Sequence, residues 1–441
     1  MPEHVDTLIH SKWIVPVAPA QTALSRHALA VRQGKIIAIL PTTEARDRFM
    51  ADREFDLTEH ALIPGLINLH THAAMSLMRG LADDLQLMRW LTEHIWPAEA
   101  RHVSPEFVFD GTLLACAEML RGGVTCMNDM YFFPEAAARA SLQAGMRACL
   151  GIIVIEFASA YAGDADDYLH KGLSARDMYR GEPLLSFSIA PHAPYTVTDR
   201  TFDKVLTLAE QLDCTIHIHI HETQDEIESS LKKHGLRPLA RLQNLGLLGP
   251  NLIAVHAVHL SDGEIAELAR QGCHVAHCPA SNLKLASGFA PIAKLAEQGV
   301  NVGIGTDGAA SNNRLDVLGE MRLAALLAKG VGNRADVIPA EEALAMATIH
   351  SARALGMGDR IGSLEAGKCA DITAIHFGQP EMSPCFDVIS HLVYACSREQ
   401  VSHVWVGGEL RVDNGTLTSI DSAEITAKAV YWQNKLEVFD D

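Results

Sequence analysis

Hydrophobic and polar positions follow two textures along this chain. Near the N-terminus, LIHSKWIVPV, ALAVRQGKIIAIL and DLTEHALIPG show the short alternation of strands, with QGK as a turn. The C-terminal stretch repeats it in KCADITAIHF, HLVYACS and SHVWVGGELRVDNGTL, where GG and NG mark turns. The long middle alternates apolar strand-like runs with helical patterns. Its strand candidates are ALIPGLINLHTH, GGVTCMNDM, MRACLGIIVI, LLSFSIAPHA, CTIHIHIHE, LIAVHAVHL, CHVAHCPAS and GVNVGIGTDG. Helical patterns such as SPEFVFDGTLLACAEMLR and DRTFDKVLTLAEQL lie between most of them. Eight such units predict an α/β fold, a (β/α)8 TIM barrel over residues 61–365. The two β-rich ends, 1–60 and 366–441, are expected to pair into one small β-sandwich domain formed from both termini.

Composition narrows the class. Of 441 residues, 48% are apolar and 20% charged, which excludes a disordered chain. The net charge of −18 argues against nucleic acid and anionic membrane as partners and leaves a small molecule. Nine cysteines, an odd number without a CxxC pair, fit a reducing compartment. The first residues lack the apolar core of a signal peptide, and no run of about 18 apolar residues occurs. A cytoplasmic enzyme is the expectation.

The 22 histidines change the picture, because several lie in apolar runs where an unpaired imidazole is costly. They cluster at the C-terminal ends of the predicted strands, the end where barrel enzymes place their chemistry. The first strand ends in His70 and His72, the fourth in His192, the fifth in His219 and Glu222. The sixth ends in His256 and His259, and the eighth in Asp307. Period two puts His70 and His72 on one face. Taken alone, a HxH pair is as well read as two polar residues at a strand end. His217, His219 and His221 also share one face, and of these His219 is the expected ligand, with His217 and His221 structural.

Asp307 follows a buried, glycine-rich run, so its carboxylate needs a partner or a metal. His70, His72, His219 and Asp307 together make a mononuclear site for one divalent metal ion, Zn2+ first and Fe2+ as the other candidate. Glu222 beside such a site is the arrangement used in metal-assisted hydrolysis. No lysine lies between Lys171 and Lys204, which disfavours a two-metal site bridged by a modified lysine there.

The segments PGLINLHTHAAMSLMRG, APHAPY, HIHIHET, HAVHL, HCPASNLKLASG and GTDGAASNN, in that order, resemble the amidohydrolase superfamily. Within it they are most similar to the branch of 5-methylthioadenosine/S-adenosylhomocysteine deaminases and related chlorohydrolases. The resemblance covers almost the whole chain, including GSLEAGKCADI. It implies that His70, His72, His219 and Asp307 hold the metal and that Glu222 protonates a substrate ring nitrogen. It also implies that His256 hydrogen-bonds the attacking water and the oxyanion side of the adduct, and that Asp307 takes the water's proton. Glu99, in IWPAEARH, matches a glutamate that grips ribose hydroxyls, and His192 a histidine near purine and sugar. The implied substrate is an adenine nucleoside, and a homo-oligomer is compatible with the resemblance. His277, Cys278 and His259 are expected to be structural, and Asn282 and Lys284 to shape a loop over the mouth.

The chain departs from the family at Leu150–His170, which holds no Lys or Arg but carries Glu156, Asp164, Asp166 and Asp167. Arginines there hold the amino-acid tail of S-adenosylhomocysteine in the relatives. An acidic loop would repel that carboxylate, so 5′-methylthioadenosine is the expected preference, unless Arg79 or Arg89 supplies the contact. Met75, Met78 and Met88, with Leu77, Leu85, Leu87, Trp90 and Trp96, either line a pocket or pack the barrel top. Two other readings stay open: a deaminase or chlorohydrolase of guanine, pterin or s-triazine, and a barrel without catalysis that serves as a scaffold.

Overall fold

The computed structural model describes residues 2–19 and 22–437. Four N-terminal strands, β1 (Glu3–Ile14), β2 (Leu24–Arg32), β3 (Lys35–Pro41) and β4 (Phe49–Pro64), precede the barrel. The barrel strands are β5 (Leu66–Thr71), β6 (Val124–Tyr131), β7 (Arg147–Val154), β8 (Leu185–Pro191), β9 (Ile216–Ile220), β10 (Leu252–His256), β11 (His274–His277) and β12 (Asn301–Ile304). β13 (Ile372–His376), β14 (Val401–Val406), β15 (Glu409–Asp413) and β16 (Thr416–Leu417) follow.

The two ends of the chain form one mixed sheet in the order β16-β15-β14-β13-β4-β1-β2-β3. The antiparallel pairing of β13 with β4, Ile372 opposite Pro64 through His376 opposite His60, joins the termini. The sheet curls over a core of Ile9, Ile36, Leu62, Ile372 and Trp405, all essentially buried. The β2–β3 turn reaches the segment before β13, which in turn meets the β14–β15 turn: Ala370 N–H donates to Gly34 O at 2.8 Å and Gly408 N–H to Ala370 O at 2.9 Å. Gly34 has φ +73°, and a Cβ there would lie 2.7 Å from Gly407 O, so this closure requires glycine.

The middle is an eight-stranded parallel sheet running β5 through β12 in chain order. Side chains close the ring. Asn68 Nδ2 donates to Thr306 Oγ1 at 2.8 Å, while Thr306 N–H donates to Asn68 Oδ1 at 2.9 Å and to His70 O at 3.1 Å. This is the predicted (β/α)8 barrel. Among the described residues, no helix is long and apolar enough to cross a membrane.

Two features differ from the sequence expectation. ALIPGLINLHTH is not one strand. β4 stays in the terminal sheet through Pro64, Gly65 turns the chain, and β5 enters the barrel. A Cβ at Gly65 would lie 2.1 Å from Thr125 Oγ1, so backbone and side chain meet there as only glycine allows. The C-terminal segment also reaches beyond its sheet. The helix Ser422–Glu437 lies on the barrel helix Pro105–Arg121, where Trp432 Nε1 donates to Asp110 Oδ2 at 2.9 Å and its ring meets Phe107 edge-on at 5.2 Å.

A buried ion pair locks sheet to barrel. Arg147, at the start of β7, reaches Asp371 just before β13 through Nε–Oδ2 at 2.9 Å and Nη2–Oδ1 at 3.1 Å. Asp371 Oδ1 also accepts Gly407 N–H at 2.7 Å, and Asp371 O accepts Gly65 N–H at 2.9 Å. Asp371 thus gathers three parts of the fold, its carboxylate holding the third barrel strand and the β14–β15 turn and its backbone carbonyl the entry to the first barrel strand. Replacing Asp371→Ala leaves the guanidinium buried without its partner and should lower unfolding free energy by about 3–5 kcal/mol, as urea denaturation would measure.

Candidate metal centre and active site

The barrel strands end in side chains that converge on one point. His70 and His72 come from the end of β5, His219 from β9, His256 from β10 and Asp307 from the turn after β12. Donor atoms of His70, His219, His256 and Asp307 all lie within 4.8 Å of one another. His72 Nε2 lies 3.3 Å from Asp307 Oδ1, and His70 Nε2 lies 3.2 Å from that same oxygen. His256 and Asp307 sit at φ +68° and +62°, and His221 beside the cluster at +55°. Left-handed backbone costs about 1–3 kcal/mol at each non-glycine residue, and such strain gathers where function fixes the geometry.

Outer partners orient each ring. His72 Nδ1 donates to Met130 O at 2.6 Å, and His219 Nδ1 to His192 O at 2.8 Å. His256 Nδ1 faces Asn282 Oδ1 at 2.8 Å, and His70 Nδ1 faces His217 Nε2 at 2.9 Å. A carbonyl only accepts, so Nδ1 of His72 and His219 carries the proton and Nε2 is left to turn its lone pair inward. His219 Nε2 consequently faces His70 Nε2 at 3.2 Å.

Lone pairs aimed at one another and at a carboxylate repel unless positive charge lies between them. The electrostatics show the same demand for positive charge, which falls on His72. Burial lowers His70 to about 4 and holds His219 well below the usual range. Burial also opposes a proton on His72, yet the contact with Asp307 raises it to about 9. Burial disfavours a charged Asp307, but hydrogen bonds from His70 and His72 hold it well below the usual carboxylate range. Imidazole nitrogens with one carboxylate oxygen, their far sides anchored, are the donor set of a divalent transition metal.

The sequence expectation missed the groups behind Asp307. Ser281 and Ser311 both donate to its Oδ2, at 2.6 and 2.7 Å, and Gly308 N–H donates to Oδ1 at 2.8 Å. The serines lie in PASN and GAASN, where only proximity in the fold reveals them. Asn282 anchors His256 and does not merely shape a loop. His217 backs His70, while His221 Nε2 accepts Leu239 N–H at 3.0 Å and His259 faces Ser287 O at 2.8 Å.

A cavity of about 310 Å³ opens over this cluster. Glu222, buried at its wall, places Oε2 3.8 Å from His256 Nε2. Burial raises its pKa, and the nearby His256 opposes the rise. Glu99 also faces the cavity and accepts Tyr131 O–H at 2.8 Å. Burial raises Glu99 to about 7 against that hydrogen bond. The His192 ring lines the cavity, and burial lowers it to about 3, so it is neutral.

The remaining wall is apolar and holds neither Lys nor Arg. Met75, Leu87, Trp90 and Trp96 line it, whereas Met78 packs inside and Met88 is exposed. The acidic loop does not repel from the wall as its sequence suggests. Glu156 accepts Thr198 N–H and O–H, Asp164 caps its own helix, Asp166 pairs with Lys204 and Asp167 with Lys171. Ile153, Ile155, Phe157, Ala158, Ser159 and Ala160 of this stretch face the cavity instead. Arg79 binds Glu118 and Arg89 binds Glu93, and neither lines it.

The parallel barrel ends in a buried histidine–aspartate group compatible with a metal, and residues 61–411 match the amidohydrolase family. The chain belongs to that family and is a hydrolase of C–N bonds. It is 47% identical over 98% of its length to a 5-methylthioadenosine/S-adenosylhomocysteine deaminase of Saccharophagus degradans, 97% of which is covered. It is 48% identical to the protein of that name from Teredinibacter turnerae, with 98% of each chain covered. Among solved structures, a zinc-bound adenosine deaminase of Xanthomonas campestris superposes with a TM-score of 0.98 at 48% identity, covering 99% of this chain and 100% of that one. An atrazine chlorohydrolase of Arthrobacter aurescens in complex with zinc reaches a TM-score of 0.89 at 25% identity, covering 97% and 99%.

Removal of an outer partner should weaken a metal site without abolishing it. His217→Ala is expected to lower metal affinity about 10–100-fold while saturating metal still loads one ion per chain. Chelator competition with elemental analysis would measure both quantities.

Proposed function

We propose that this protein deaminates an adenine nucleoside and that 5′-methylthioadenosine, converted to 5′-methylthioinosine and ammonia, is its preferred substrate. The observation that carries the reading is one cavity in which Glu222, Glu99 and the histidine–aspartate cluster face an apolar wall without a cation. The relatives' names support the nucleoside but divide on the substituent, one naming adenosine and others the methylthio and homocysteine derivatives.

His70, His72, His219 and Asp307 would hold the ion, and Zn2+ is the first candidate because a zinc-bound structure is so similar. A divalent cation there supplies Lewis acidity and makes hydroxide available at neutral pH. Asp307 accepts the proton of the attacking water, its second oxygen kept in place by Ser281 and Ser311. His256, fixed by Asn282, hydrogen-bonds the attacking water and the oxyanion side of the adduct. Burial favours a proton on Glu222, the group that passes it to the ring nitrogen next to the amino-bearing carbon. The ring then holds the electron pair of the attack. A second proton transfer releases ammonia, and the carbon keeps its new oxygen as the oxo-purine. Glu99 accepts from the ribose hydroxyls, and His192 lies beside purine and sugar.

Selectivity follows from the wall. A methylthio group loses little on leaving water for Trp96, Phe157 and their neighbours, whereas a zwitterionic amino-acid tail finds no cation for its carboxylate. The similarity to atrazine chlorohydrolase supports a second reading, an s-triazine substrate.

A side-by-side assay of 5′-methylthioadenosine, adenosine, S-adenosylhomocysteine, guanine and a chlorotriazine tests this reading. The expected kcat/KM order places 5′-methylthioadenosine first and S-adenosylhomocysteine well behind. Equal values for these two would refute the preference, and turnover of the triazine alone would favour the second reading. Glu222→Gln should retain metal and lose about 10²–10⁴-fold in kcat.

A further inference from the structure

A second buried carboxylate stands behind Glu222 and is not used by the mechanism above. Glu226 lies in the first turn of the helix Gln224–His234, four residues past Glu222, and is only 7% exposed. In sequence, Thr223-Gln-Asp-Glu226 reads as an ordinary helix capping box. Half of that box is present: Thr223 Oγ1 accepts Glu226 N–H at 3.3 Å. The other half is redirected. The Glu226 carboxylate reaches past Thr223, its Oε2 accepting Glu222 N–H at 2.9 Å and its Oε1 accepting His221 N–H at 3.1 Å.

Those two amides belong to the turn that ends β9. His221 sits at φ +55°, and the chain leaves β9 there to start the helix. A carboxylate that accepts two consecutive N–H groups fixes the orientation of both peptide planes. The second plane carries the Cα of Glu222, and thereby decides where its carboxylate stands relative to His256 and the cavity. Buried among these groups, Glu226 has a raised pKa of about 8, and the two amides work against that rise.

We infer that Glu226 is a positioning residue for the proton-transferring Glu222, acting through the backbone of residues 221 and 222 and never touching substrate. The inference rests on the proposed role of Glu222. It assigns the T-x-x-E pattern here to catalytic geometry in addition to helix capping.

Glu226→Gln keeps the shape but turns an N–H₂ group toward one of two amide donors, so one contact is lost and its partner is repelled. Its expected effect is a fall in kcat of about 10- to 100-fold, as for a small misplacement of a reacting group. KM and metal content should change less than about threefold. Glu226→Asp, one methylene shorter, should show the same pattern with the carboxyl group retained. Thr223→Ala removes the cap without removing the amide contacts, so it should lower the melting temperature and leave kcat within about threefold. The deciding measurement is a double-variant cycle. If Glu226 acts only through Glu222, adding Glu226→Gln to Glu222→Gln costs no further rate. Independent, multiplying losses would overturn the inference, as would Glu226→Gln with wild-type kcat or both Glu226 variants failing to fold. A Glu222→Gln enzyme with undiminished kcat would instead refute the role of Glu222 itself.

Discussion

The structure depends on bringing imidazole lone pairs and one carboxylate face to face at the mouth of the barrel. Such an arrangement is repulsive by itself, and each ring is held in it from behind. Met130 O, His192 O, Asn282 and His217 supply the outer contacts of His72, His219, His256 and His70. These partners come from β6, the turn after β8, the turn after β11 and β9. The ring of strands must therefore close before the cluster can form. The Asn68–Thr306 exchange that closes β5 against the end of β12 lies directly beside His70 and Asp307, so closure and cluster are one construction.

Much of this was legible in the sequence because its period was strong. Eight apolar runs separated by helical patterns gave the barrel, and polar residues at the run ends marked the mouth. Strand period put His70 and His72 on one face and His219 on another with its two neighbours, and Glu222 was marked by its place three residues past His219, just beyond the strand. The rest depends on contacts between residues distant in the chain. Ser281 meets Asp307 from the short helix after β11, 26 residues away in the chain, whereas Ser311, four residues on, reaches it only because the chain turns back there into a short helix. The end of β4 at Pro64 is set by where Gly65 meets Thr125 and Asp371, which the continuous apolar pattern conceals. Glu226 looks like a capping glutamate until the two N–H groups that donate to it are seen.

Charge shows the same limit from the other side. Four acidic residues near Leu150–His170 suggest a repelling loop, but caps and ion pairs engage all four and turn them from the cavity. What remains at the wall is the lack of a cation, together with Phe157 and Trp96 packed edge-on at 5.9 Å. Under the proposed preference, discrimination would come from an unmet carboxylate and not from repulsion. An ionised group buried without a partner is costly, so the lack of an arginine would suffice for the proposed selectivity.

The central claim is that the mouth of the barrel is built around one cation. Anomalous diffraction at the zinc and iron absorption edges, on crystals of protein with its metal content determined, tests it most directly. The account predicts a single peak enclosed by His70, His72, His219 and Asp307, with Glu222 close by but outside the ligand set. Two peaks at the cluster, or a peak that excludes Asp307 and leaves these histidines hydrogen-bonded among themselves, would contradict it.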